Sequence, residues 1–119
     1  MGDKKTILAI DDNVTQLTMF KEMLASKYDL RVAKSASDAI SFLNKSHSDI
    51  ILLDIEMPNI SGFQFLDDIR KIPSYMEVPI LIVSGHREKD FFEQVKNSSA
   101  DDVLTKPVLP LTISIGTLA

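Results

Sequence analysis

Three carboxylates, a hydroxyl and an amine are the side chains of this sequence best placed to do chemistry together: Asp11, Asp12, Asp54, Ser84 and Lys106. Asp54 is the plainest case. The stretch IILLDIEMPNISGF, residues 50–63, sets it after four consecutive apolar residues and follows it with Pro58 and Gly62. An acid buried in a strand costs several kcal/mol without a partner, so the expectation is that Asp54 sits at the strand's exit, in a crevice that uses its charge. Each residue has an ordinary reading when taken alone. Asp11-Asp12-Asn13 could be a turn and helix cap, Ser84 with Gly85 a loop, and Lys106 before Pro107 a surface charge beside a turn. Nothing in turn chemistry calls for all of them at once. Three carboxylates within a few ångströms repel one another and call for a cation. Oxygen-only ligands favour Mg²⁺ or Mn²⁺, and the two histidines, His47 and His86, lack a zinc-like spacing. A divalent ion lets an anionic aspartate attack an anionic phosphoryl donor, and an opposed amine neutralises the phosphoryl oxygens.

That reading requires the five residues to share one edge, which depends on the elements around them. TILAI (6–10) is a short apolar run. Behind it Val14, Leu17, Phe20 and Leu24 recur at helical spacing, with Asn13 as N-cap and Gln16 three residues on. DLRVA (29–33) is a second strand, followed by Ala36, Ala39, Ile40 and Leu43 on one helical face capped by Ser35 or Ser37. DIILL (49–53) is apolar on both faces, as in a central parallel strand. Phe63, Leu66 and Ile69 mark a third helix that ends near Pro73, VPILIVSG (78–85) a fourth strand, REKDFFEQVKN a fourth helix and DVLTK a fifth strand. Such alternation with right-handed crossovers predicts an α/β fold: a doubly wound five-stranded parallel sheet in a three-layer sandwich, with the flavodoxin-like order 2-1-3-4-5. Function in these sheets lies outside the carboxyl ends of the strands. Four of those ends carry the five residues.

Composition narrows the classes. The 119 residues, 45% apolar and 25% charged, suit one domain that buries roughly two-thirds of its unfolded surface. No apolar run approaches a membrane span, and mean hydropathy is +0.06. A net charge of −4 without a Lys/Arg cluster gives no footprint for direct nucleic-acid binding. The absence of cysteine removes disulfides and thiolate chemistry, and no signal peptide is recognised, so a cytoplasmic location is expected.

With these residues in place, the chain resembles the receiver domains of two-component response regulators, the family that includes the stand-alone chemotaxis regulator. The pieces that carry the likeness are DD after the first strand, LLDIEMPNISGF around the third, VSG after the fourth and DDVLTKP at the fifth, over residues 5 to about 108. The resemblance implies a phosphorylation-activated signalling domain, not an enzyme of turnover. Asp54 would accept the phosphoryl group of a phosphohistidine on a histidine kinase or phosphotransfer protein. Asp12 and Asp54 would ligate Mg²⁺ directly, joined by the backbone carbonyl of Glu56, with Asp11 acting through water. Lys106 would pair with a phosphoryl oxygen, its peptide to Pro107 cis, and Ser84 would hydrogen-bond the attached group and reshape the face of the fourth helix and fifth strand.

Some features depart from the family pattern. Val103 stands where many receivers carry an aromatic side chain that swings inward, and a short β-branched side chain cannot make that rotamer change. It supports an alternative, a phosphorylation-silent docking module. Glu56 and His86 occupy variable positions that in the family influence phosphoryl lifetime. A metal-dependent hydrolase with Asp54 as nucleophile is a further alternative, although haloacid-dehalogenase-type phosphatases place an Asp where this chain has Glu56. The last segment, VLPLTISIGTLA (108–119), carries no charge and reads as an atypical final helix or a truncated continuation. As a helix it would expose Leu109 and Ile113, which suggests a homodimer contact or a cover from further sequence.

Overall fold

The computed structural model describes residues 4–58 and 60–106. The Lys106–Pro107 peptide and the final segment 108–119, with its helix and interface readings, lie outside the described residues. Within them run β1 (Thr6–Ile10), α1 (Val14–Leu24), β2 (Asp29–Ala33), α2 (Ala36–Lys45), β3 (Ile50–Asp54), α3 (Gly62–Arg70), a 3-10 turn (Pro73–Tyr75), β4 (Ile80–Ser84), α4 (Lys89–Lys96) and β5 (Asp102–Thr105). The strands form one parallel sheet in the order β2-β1-β3-β4-β5, as the alternation predicts.

Local chemistry starts three of the helices. Asn13 Oδ1 accepts from Gln16 N at 3.2 Å, Ser35 Oγ from Asp38 N at 3.0 Å and Ser61 Oγ from Gln64 N at 3.3 Å. The cap of α2 is thus Ser35, not Ser37. Alternate residues of the central strands point to opposite faces. Leu8, Ile10, Ile51, Leu53, Ile80 and Ile82 pack with side chains of α2, α3 and α4, whereas Ile7, Ala9, Ile50, Leu52, Leu81 and Val83 pack with Leu17, Phe20 and Leu24 of α1. Two apolar faces explain why β3 and β4 read as unbroken apolar runs.

The structure corrects several details. The third strand is shifted by one residue from 49–53 and takes in Asp54 as its last residue. The fourth begins at Ile80, because Pro79 has no N–H to donate; its carbonyl accepts instead from Ile51 N at 2.9 Å. Val14 lies at the first turn of α1 and is 56% exposed, so it is no part of the core. On α3 the buried stripe is Phe65, Leu66 and Ile69, with Phe63 only half-buried. Gly62 opens α3 where no side chain fits: a Cβ there would stand 2.8 Å from the Cα of Ile55.

The amino ends of the strands are tied by polar side chains. Ser48 Oγ accepts from Leu8 N at 3.0 Å and donates to Ile50 O at 2.6 Å, while Ser48 N donates to Tyr75 Oη at 3.1 Å. The Arg70 side chain, 13% exposed, donates to Tyr75 O (3.0 Å), Val78 O (2.6 Å), Ser99 O (2.7 Å) and Asp101 Oδ2 (3.0 Å). Asp101 Oδ2 also receives Ile80 N at 2.8 Å. Replacing Arg70 by Met keeps the aliphatic stem and strands these acceptors, so urea unfolding should show a loss of about 2–3 kcal/mol. An unchanged midpoint would contradict this role for the guanidinium.

Candidate functional site

Parallel register brings the strand ends level. Ile10 pairs with Leu53, Asp54 with Val83 and Ser84 with Thr105. Asp11 and Asp12 therefore leave β1, and Lys106 leaves β5, along the edge where β3 ends in Asp54 and β4 in Ser84. All five sequence-derived candidates come together there.

Asp54 stands at the exit of its strand, as the last residue of β3, but it is deeply buried: it is 3% exposed, and Asp11 only 1%. Both buried acids have partners. Asp54 Oδ1 accepts from Glu56 N at 2.9 Å and lies 3.4 Å from Lys106 Nζ, and Asp11 Oδ1 accepts from Asn13 N at 2.9 Å. The second oxygen of Asp11, buried, has no hydrogen-bond partner among the described residues. Carboxylate oxygens of Asp11, exposed Asp12 and Asp54 lie within 4.8 Å of one another. A hard divalent cation fits this donor set, since it would compensate three clustered acids and bring a coordinated water within reach of the buried Asp11 oxygen. Burial above all pushes Asp11 up to about 7, against the pull of the Asn13 N–H, with the neighbouring Asp54 adding to the rise.

Glu56 divides from this cluster. Its side chain turns to the opposite side of Asp54, where Oε1 accepts from Ser84 Oγ at 3.1 Å and from Gly85 N at 3.3 Å, and Oε2 lies 3.6 Å from Lys106 Nζ. His86 Nε2 stands 3.2 Å from the same Oε1. The Lys106 backbone is fixed on both sides: its N–H donates to Ser84 O at 2.8 Å, and its carbonyl accepts from Arg87 Nη2 at 3.0 Å. Sequence reasoning placed Glu56 at the site without the contacts of its carboxylate, and overlooked the Gly85 N–H and Arg87. Their contacts follow from loop conformation, for which spacing carries no signal. The site as built places paired acids on one flank of Asp54 and a hydroxyl, an amide N–H and an amine on the other, a layout suited to receiving an anionic group.

Comparison with known proteins gives an independent view. The family model described as "Response regulator receiver domain" matches residues 7–114. Hybrid signal transduction histidine kinase I of Dictyostelium discoideum is 32% identical over 112 residues, which is 87% of this chain but 6% of that protein. Sensor histidine kinase RcsC of Escherichia coli is 30% identical over 108 residues, 90% of this chain and 11% of that one. The chain thus spans a small fraction of these relatives' length. Among solved structures, the chemotaxis protein CheY4 of Vibrio cholerae superposes with a TM-score of 0.87 at 28% identity, covering 97% of this chain and 96% of that one.

Proposed function

The chain belongs to the response regulator receiver domain family, a family of phosphorylation-based signalling domains, and from that premise we propose that Asp54 is its phosphoryl acceptor. The observation that supports this most directly is the buried Asp54 carboxylate held between the Asp11–Asp12 acids and the Lys106 amine, 3.4 Å away. Receiver domains interact with histidine kinases or phosphotransfer proteins, and relatives of this chain include histidine kinases. The donor proposed here is a phosphohistidine on such a partner. A carboxylate oxygen of Asp54 attacks phosphorus, an O–P bond forms, the P–N bond breaks, and its electron pair stays on the departing imidazole. Lys106 faces the phosphoryl oxygens with positive charge, and Ser84 donates its hydroxyl proton to one of them.

Receiver domains bind Mg²⁺ in an acidic cluster; here Asp12, Asp54 and the backbone carbonyl of Glu56 would hold it directly, with Asp11 through water. When bound, the ion neutralises charge between carboxylate and phosphoryl oxygens. The raised Asp11 makes that binding proton-linked. Its folded value of about 7 lies above the ordinary 3.8, so in the metal-free protein the proton stabilises the fold. That contribution is full below about pH 4 and lost as pH rises through about 7. Because the cation favours the ionised acid, apparent Mg²⁺ affinity should climb by up to about tenfold per pH unit below pH 7 and flatten above it. Isothermal titration between pH 5.5 and 8 checks this, and a pH-independent affinity would count against it.

The experiment that tests the acceptor assignment is incubation with acetyl phosphate and Mg²⁺, followed by intact-mass analysis. One acyl phosphate, labile to acid and base, is expected at Asp54. Val103, half-buried in β5 against the core, supports the docking-module reading of output. Partner affinity that does not change on phosphorylation would favour that second reading. Among the described residues no helix is long and apolar enough to cross a membrane.

A further inference from the structure

Phosphoryl oxygens need the same donors that a carboxylate needs, and at this site the donors are already taken. Ser84 Oγ donates to Glu56 Oε1 at 3.1 Å, Gly85 N donates to the same oxygen at 3.3 Å, and Lys106 Nζ is 3.6 Å from Oε2. A serine hydroxyl has one proton to give. It cannot serve Glu56 and a phosphoryl oxygen together. The Lys106 amine lies between Glu56 and Asp54, so an anion entering beside Asp54 meets the Glu56 charge at its nearest cationic partner. The Glu56 side chain is 32% exposed, which leaves it a path to solvent without disturbing the core.

We propose that the Glu56 carboxylate is an internal occupant of the phosphoryl-oxygen cradle formed by Ser84, Gly85 and Lys106, and that it must swing out before Asp54 can be phosphorylated. The proposal rests on Asp54 being the acceptor. It makes Glu56 a gate that holds the donors in place in the resting protein and sets the rate at which a phosphodonor gains them. Loss of the gate leaves the Glu56 backbone unchanged. Its side chain alone is the variable.

The test compares wild type, Glu56→Ala and Glu56→Gln at saturating Mg²⁺. Two quantities are read: the initial rate of labelling by acetyl phosphate, and the affinity for beryllofluoride, a tetrahedral mimic of the phosphoryl group. Glu56→Ala should be labelled at least about threefold faster and bind beryllofluoride at least about threefold more tightly, the change expected when one competing hydrogen-bonded anion is removed. Glu56→Gln, which still accepts through its carbonyl oxygen but lacks the charge, should fall between. Equal or slower labelling of both variants, with the wild type labelled at Asp54, would overturn the gate and leave the acceptor assignment standing. Faster labelling without tighter beryllofluoride binding would also overturn it, since an occupied cradle must affect both. Absence of labelling in all three proteins would instead overturn the assignment of Asp54 itself.

Discussion

Asp54→Asn protein incubated with acetyl phosphate and Mg²⁺ should keep its unmodified mass while the wild type gains one phosphoryl group. The amide matches the carboxylate in shape, and its oxygen can still accept from Glu56 N, which lies 2.9 Å from Asp54 Oδ1 in the wild type. Removing the charge also eases the crowding of acids around Asp11 and Asp12. The fold should therefore survive, and what disappears is the anionic nucleophile, because a neutral amide oxygen does not form a stable acyl phosphate. Asp12, exposed at the same edge, is the residue best placed to take up label by accident, yet the amine that would orient an incoming group stands beside Asp54, 3.4 Å away. Labelling should fall at least about 100-fold. Modification persisting at the wild-type level in the Asn variant would refute the assignment.

A second pair of substitutions separates the metal from the phosphoryl group. Asp12→Ala should weaken Mg²⁺ binding at least about tenfold, because it removes a carboxylate from a three-acid set without touching the core. Lys106→Ala should not weaken it. Removing the amine 3.4 Å from Asp54 deletes a neighbouring positive charge, so Mg²⁺ affinity should hold or rise. Labelling should nonetheless fall, since the amine faces phosphoryl oxygens and not the cation. Titration calorimetry with metal alone, followed by labelling at saturating Mg²⁺, measures the two effects independently. Equal Mg²⁺ affinity in the wild type and Asp12→Ala proteins would contradict the geometry.

Much of this site could be read before any coordinates, and for a specific reason. Where a parallel strand is covered on both faces, apolar runs locate it, and the polar residue that ends each run locates the functional edge. Asp11, Asp54 and Ser84 each end such a run, Lys106 closes the weaker edge strand beside them, and Asn13 announces its helix by cap chemistry alone. The depth of the site was not legible. Asp54 looked too costly to bury because the partners that offset it, Glu56 N and Lys106 Nζ, come from a loop turn and from the residue just past β5, 52 positions away in sequence. The direction of the Glu56 side chain was hidden for the same cause, and Val14 misled because helical spacing does not say where the stripe meets the sheet. Arg70 and Asp101 stand 31 residues apart in sequence, and only the folded chain brings them together.

The contrast between the two ends of the sheet has a mechanical meaning. At the amino ends of the strands, Ser48, Tyr75, Arg70 and Asp101 fasten neighbouring segments by hydrogen bonds to backbone groups, contacts that do not depend on any ligand. At the carboxyl ends, side chain meets side chain across the level strand tips, and the donors of Ser84 and Lys106 face whichever anion lies beside Asp54. One end behaves as a fixed root and the other as an adjustable tip. A change of occupant beside Asp54 can then re-aim the side chains at the ends of β3 and β4, while the register that aligns the strands stays locked at the base.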